Sequence, residues 1–177
     1  RLRGALRSAA DPDRKFVLVE GRRYRLEVSG VALDVDRFDA LLAQARLAAP
    51  AEALPILAEA DQLVRGEYLA GLDYPWLMGE RRRISEAHAE VLAWTAELRL
   101  RLGNADAAVL AARRLGALDP YSERACVLEL RSLAKLGDLA AAERRFAEFE
   151  ALLEAELGVQ PADATVTAYR NLRAERV

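Results

Sequence analysis

Gly103–Ala108 reads GNADAA, and Gly137–Ala142 reads GDLAAA. The two stretches begin 34 residues apart, and each places a glycine turn ahead of a run that ends in two alanines. A period of this length is typical of stacked helical hairpins, each made of two antiparallel helices. Because one hairpin cannot bury its own apolar face, neighbouring hairpins must stack. The spacing therefore predicts a helical array.

The composition around these two stretches agrees with a mainly α-helical protein. Of the 177 residues, 53% are hydrophobic and only 6% are aromatic. Much of the hydrophobic content is Ala and Leu, which are strong helix formers. We therefore predict a tetratricopeptide-like array of antiparallel helical hairpins. Stacked hairpins form concave surfaces, which indicates that the array binds other protein chains.

Apolar residues recur every three to four positions from residue 35 onward and predict helices along the rest of the chain. Ala108 and Ala142 should be equivalent and buried where the helices of their hairpins cross. We expect Trp76, Met78 and Trp94 to pack in the core. The predicted helices span about 35–48, 50–64, 75–102, 105–118, 122–136, 139–157 and 161–176.

The first 30 residues differ from the rest of the chain. Residues 16–20 and 24–28 have the pattern of two strands of a β-hairpin, which we expect to pack near Phe38 unless it is a free ribbon. Residues 1–30 have a net charge of +4, and residues 31–177 have a net charge of −6. A basic segment before an acidic body suggests contact with a polyanion, with chance clustering as the alternative. We divide the chain into a first domain at 1–30 and a helical domain at 31–177.

No pattern of residues indicates catalysis. The single histidine, His88, lies on an apolar helix stripe between Ile84 and Val91, so we expect it to be packed. One histidine and the single Cys126 cannot form an ordinary zinc site, and acidic residues near arginines, as in Glu143–Arg145, are expected to be solvated. We therefore expect no enzyme activity, no catalytic residues, no metal and no cofactor. No apolar run is long enough to span a membrane.

The basic residues of the first domain have the arrangement of a winged helix. The stretches Leu2–Leu6 (LRGAL), Phe16–Val19 (FVLV) and Gly21–Leu26 (GRRYRL) resemble the end of an OmpR-type winged-helix domain. Arg23 stands where that family usually has a second glycine. In such domains a helix enters the major groove and the wing contacts the backbone. The resemblance implies DNA contacts by Arg1, Arg3, Arg7, Arg22 and Arg23, with most of the winged helix preceding Arg1.

The helical domain resembles the bacterial transcriptional activator domain of the Streptomyces antibiotic regulatory protein (SARP) family. The resemblance is carried by four phrases in order: Gly66–Leu69 (GEYL), Trp76 followed by Glu80-Arg81, Leu118–Glu123 (LDPYSE) and Leu157–Pro161 (LGVQP). It implies a cytoplasmic activator of transcription that contacts RNA polymerase, another regulatory protein or a second copy of itself. The alternative is a tetratricopeptide adaptor or sensor that binds a peptide or a small effector.

Overall fold

A two-stranded antiparallel hairpin precedes the helices. The computed structural model describes residues 15–27 and 33–174, apart from the side chain of Arg173, and the chain divides into the compact units Arg1–Asp36 and Arg37–Val177. Strand β1 is Val17–Glu20 and strand β2 is Arg23–Leu26. Glu20 pairs with Arg23, which leaves Gly21 and Arg22 as a two-residue turn. Gly21 has φ +64°, a value that such turns require and glycine adopts without strain.

Seven α-helices follow the hairpin in the part of the chain that the structure describes. They confirm the predicted array: every connection except the loop of residues 64–74 is short, and short connections leave consecutive helices antiparallel. No helix in residues 33–174 is both long enough and apolar enough to cross a membrane. The helices are α1 Asp34–Leu47, α2 Pro50–Leu63, α3 Pro75–Arg101, α4 Ala105–Leu118, α5 Glu123–Lys135, α6 Leu139–Leu157 and α7 Asp163–Ala174.

The starts of α4 and α6 are equivalent, as the 34-residue spacing predicts. Gly103 and Gly137 have φ of +79° and +78°. The side chain of the next residue then caps the helix: Asn104 accepts a hydrogen bond from the amide of Ala107 (3.3 Å), and Asp138 accepts one from Ala141 (3.0 Å). A capping side chain satisfies an amide that has no partner within the helix. The repeated phrase therefore encodes a turn and a cap.

Three apolar clusters form the core of the array, and each joins consecutive helices. The first joins α1, α2 and the middle of α3 through residues such as Phe38, Leu57 and Val91. The second joins α3, α4 and α5. The third joins α4, α5 and α6 around Phe149, with residues of α7 packed against it. Because each cluster is shared by neighbours, the array is stabilised pair by pair along its length.

Ala108 and Ala142 are buried, as predicted, with 0% and 2% of their surfaces exposed. We expect Ala108→Leu and Ala142→Leu each to lower the free energy of unfolding by roughly 1–3 kcal/mol, because a larger side chain overpacks the crossing. Thermal denaturation measures the loss. Ala147→Leu, at an exposed position of α6, is the control. Melting temperatures equal to that of the control would contradict the repeat assignment.

Candidate functional site

The loop between α2 and α3 is held in one conformation by Arg81. The Arg81 guanidinium donates to the carbonyls of Tyr68 (3.0 Å), Leu69 (2.9 Å) and Leu72 (2.7 Å). Its side chain is 20% exposed, and its Nε lies 3.4 Å from Glu67. Leu69 has φ +49°, an uncommon conformation for a residue with a side chain. The main partners of Arg81 are therefore these three backbone carbonyls.

A cavity of about 570 Å³ opens beside this loop. We call it the loop groove. It lies between the end of α2, the loop, the first half of α3 and the end of α4. Ligand-binding pockets are typically of this size. Its lining residues are Val64, Gly66, Glu67, Tyr68, Arg81, Arg82, Ile84, Ser85, His88 and Leu118.

His88 forms part of the groove wall and belongs to a three-residue network. Its Nε2 lies 2.8 Å from Oδ1 of Asp61, and Arg114 binds both oxygens of that carboxylate at 2.5 and 2.8 Å. The three side chains come from α3, α2 and α4, so the network joins three helices. His88 is 7% exposed, which confirms that it is packed. The network thereby fixes the position of the imidazole at the wall.

The charges around Asp61 set its protonation. Burial alone would raise the pKa of the Asp61 carboxyl, but hydrogen bonds and charge from Arg114 and His88 outweigh burial and hold the pKa below its ordinary value of 3.8. Asp61 is therefore ionised at neutral pH and can only accept hydrogen bonds. It follows that Nε2 of His88 carries a proton.

The lowered pKa of Asp61 makes the stability of the fold depend on pH. A depressed folded-state pKa stabilises the fold above pH 3.8, and the stabilisation is lost as the pH falls through the lower folded value. We expect the free energy of unfolding of the parent to fall more steeply below pH 3.8 than that of Asp61→Asn. Urea titrations at several pH values measure this, and Arg114→Gln should flatten the dependence in the same direction. Parallel curves for parent and variants would contradict the role of Asp61.

A second charged cluster lies deeper in the array. Glu129 is 5% exposed, and its two oxygens bind Arg113 at 2.7 Å and Arg145 at 2.8 Å. The guanidinium of Arg145 also lies over the ring of Phe149, 5.5 Å from its centre. The prediction of solvated charge at Glu143–Arg145 is therefore wrong for Arg145, whose side chain is 19% exposed.

An exposed apolar surface runs from the loop into the start of α3. Trp76 and Met78 are 62% and 68% exposed, so the prediction that they pack in the core is wrong. Tyr74 is 52% exposed and stacks on Trp76 with ring centres 6.3 Å apart, and Leu72 is 45% exposed. We call these four residues the aromatic surface. Trp94, in contrast, packs against the first core cluster.

The five arginines expected to contact DNA fall into two groups. Arg22 and Arg23 are exposed at the turn and the start of β2. Arg1, Arg3 and Arg7 lie outside the described residues. The assignment of all five to DNA contact stays a prediction.

The single cysteine of the sequence, Cys126, lies in the core. Burial raises the pKa of its thiol to about 12, so the thiol stays protonated. Among the described residues, no group of three or more His, Cys, Asp or Glu side chains could hold a metal ion.

Comparison with protein families identifies the helical array. Residues 33–173 match the family described as bacterial transcriptional activator domain, and this match spans most of the chain. The chain belongs to this family. The resemblance expected from the four sequence phrases is thereby confirmed. None of the curated proteins matches the chain.

The activator domain also resembles a solved structure. This is a chain of Mycobacterium tuberculosis EmbR, determined in complex with a low affinity phosphopeptide. The TM-score is 0.82 at 21% sequence identity, and the match covers 98% of this chain. At that identity the likeness establishes the fold. The chain spans 47% of the length of the EmbR chain.

Proposed function

We propose that this chain belongs to a DNA-binding transcriptional activator, in which the helical array binds a protein partner. One observation carries the proposal: the match to the bacterial transcriptional activator domain over residues 33–173 follows a hairpin with exposed arginines. Such a protein acts without catalysing a reaction. Because bacterial transcription takes place in the cytoplasm, the proposal assigns the protein to that compartment.

The DNA contact is assigned to residues 1–30, as the end of a winged helix. In this arrangement Arg22 and Arg23 of the hairpin would contact phosphates, together with Arg1, Arg3 and Arg7. Contacts between cations and phosphates provide affinity without sequence preference. The net charge of +4 in residues 1–30 supports this assignment.

The protein contact is assigned to residues 31–177, with RNA polymerase, another regulatory protein or a second copy of the chain as the partner. The net charge of −6 disfavours direct contact of the array with DNA. The aromatic surface supports a protein contact, because exposed clusters of Trp, Tyr and Met are enriched at interfaces. Trp76 is its largest side chain and the best candidate for a central contact.

The test uses a full-length regulator that contains the rest of the winged helix that the proposal requires. Arg22→Ala should weaken binding to every DNA sequence and reduce the slope of log affinity against log salt by about one. Trp76→Ala should leave DNA affinity unchanged and lower transcription from a promoter that the regulator activates. Arg101→Ala and Leu110→Ala are the controls, since both residues are exposed and lie outside the hairpin and the aromatic surface.

The two variants separate the two halves of the proposal. An unchanged salt slope in Arg22→Ala would remove the hairpin from the DNA contact. Full transcription in Trp76→Ala would remove the aromatic surface from the partner contact. A full-length protein that binds no DNA at low salt would contradict the proposed function as a whole.

A further inference from the structure

The loop groove is preformed, which distinguishes it from an accidental gap between helices. Three hydrogen bonds from Arg81 hold the loop on one side. Asp61 and Arg114 hold His88 on the other side. Walls that are fixed before a ligand arrives lower the entropy lost on binding. The groove therefore has the organisation of a ligand site.

Donors in the groove are the guanidinium of Arg82 and the hydroxyls of Tyr68 and Ser85, which can also accept, because Arg81 already donates to three backbone carbonyls. Among the described residues that line it, Glu67 is the one carboxylate, and it lies 3.4 Å from Nε of Arg81. The hydroxyls of Tyr68 and Ser85 form no hydrogen bond with any described residue. A ligand that fits this lining offers hydrogen-bond acceptors.

Arg82 provides a cation at the open side of the groove. Its side chain is 81% exposed, and its Nε binds Glu86 at 2.7 Å one helical turn away. Such an exposed pair is weak and leaves the terminal nitrogens of the guanidinium available. These nitrogens match the two oxygens of a carboxylate.

The rest of the wall is apolar. Val64 directly follows α2, Ile84 and Leu118 come from α3 and α4, and all three line the same cavity. Leu118 is 45% exposed, so part of this apolar wall is open to solvent. A ligand that covers it gains the free energy of apolar burial.

From these observations we propose that the loop groove binds a small organic acid with an apolar body. The body lies against Val64, Ile84 and Leu118, and the carboxylate lies at the mouth beside Arg82 and Ser85. The activator domain would thereby carry an effector site between its first two helical hairpins. This inference does not depend on DNA binding or on the protein partner.

The experiment titrates the 177-residue chain with octanoate, 1-octanol and octylammonium, which share one apolar body and differ in the head group. Two-dimensional amide NMR spectra follow residues 64–68 and 82–88. We expect saturable octanoate binding with a dissociation constant on the order of 1 mM, which is ordinary for a ligand of this size. Octanol should bind about threefold to fivefold more weakly, the effect of one exposed charge contact. Octylammonium should bind more weakly still.

Four variants locate the acid in the groove. Arg82→Gln should reduce octanoate affinity to that of octanol, whereas Glu86→Gln should increase it by removing the competing carboxylate. Ser85→Trp places a large ring in the groove from an exposed helix position and should abolish binding. Arg101→Gln is the charge control and should have no effect.

Three results would overturn the proposal. The first is the absence of saturable changes in the amides of the groove. The second is equal affinity for octanoate and octanol that Arg82→Gln leaves unchanged. The third is full octanoate binding by a folded Ser85→Trp variant. If Ser85→Trp fails to fold, the Arg82→Gln and Glu86→Gln pair still decides the outcome.

Discussion

Phe149→Ala is expected to lower the free energy of unfolding by about 3–5 kcal/mol, the usual cost of removing a fully buried aromatic ring. Phe149 is 0% exposed and lies at the centre of the third core cluster. The substitution leaves a cavity between α5 and α6. It also removes the ring beneath the guanidinium of Arg145, an interaction with its own favourable energy.

The loss of stability in Phe149→Ala should be concentrated at the C-terminal end of the array. Helix α7 packs on the same cluster, where Tyr169 stacks on Phe146 at 4.1 Å between ring centres. Because each helix contacts mainly its neighbours, the loss of this cluster should loosen α6 and α7 before α1 and α2. Hydrogen exchange of the backbone amides measures this order directly.

The matched control is Leu110→Ala on α4. Leu110 is also apolar but is 62% exposed, so its truncation should change stability by less than about 0.5 kcal/mol. Phe149→Leu should fall between the two, since it keeps part of the apolar volume and loses the ring. Equal stability of Phe149→Ala and Leu110→Ala in urea titrations would contradict this description of the core.

The fold was predictable because its signals are local. Gly103 and Gly137 mark two left-handed turns, and the residue after each is the cap of a helix. Gly158 likewise has φ +66° at the end of α6, as a C-cap glycine should. Such features depend on neighbours within a few residues. They can therefore be predicted without knowledge of the tertiary structure.

The aromatic surface was not predictable in this way, because exposure depends on which helix lies opposite. Helix α3 has 27 residues and is about 40 Å long, whereas α2 and α4 have 14 residues each and are about 21 Å long. Neither neighbour can cover the whole length of α3. In its first turn Leu77 is 1% exposed whereas Trp76 and Met78 stay exposed, so this turn is covered on one face only. Leu102, directly after the other end of α3, is 48% exposed.

The loop groove and its charged wall were missed for a related reason. Asp61, His88 and Arg114 are far apart in sequence and meet only when three helices pack. The position of Glu129 in the sequence, in contrast, did indicate a buried ion pair. It lies three residues after Cys126 and four before Leu133, on the apolar stripe of α5. A carboxylate at that position needs a cation from another helix.

Removal of both cations around Glu129 is the second substitution with a large expected effect. The double variant Arg113→Met, Arg145→Met should lose about 3–5 kcal/mol of stability, because it leaves a buried carboxylate without a partner. The Glu129 side chain is 7% exposed, so water can solvate it only poorly. Methionine keeps much of the arginine's apolar volume, which isolates the effect of charge.

The control is a charged cluster that is not buried. Arg124 on α5 binds Glu90 at 2.5 Å and Glu97 at 2.9 Å on α3, and its side chain is 44% exposed. Arg124→Met should cost less than about 1 kcal/mol, because water solvates the two carboxylates it leaves. Added salt should reduce this smaller effect further.

A third substitution decides whether the unpartnered charge causes the loss. Adding Glu129→Met to the double arginine variant removes the buried carboxylate and replaces the cluster with apolar side chains. Such replacements are often neutral or stabilising, so the triple variant should recover most of the lost stability. Urea denaturation at neutral pH of the parent, the double variant, the triple variant and Arg124→Met gives the comparison. If the triple variant is no more stable than the double variant, the arginines stabilise α4, α5 and α6 through packing of their side chains rather than through charge.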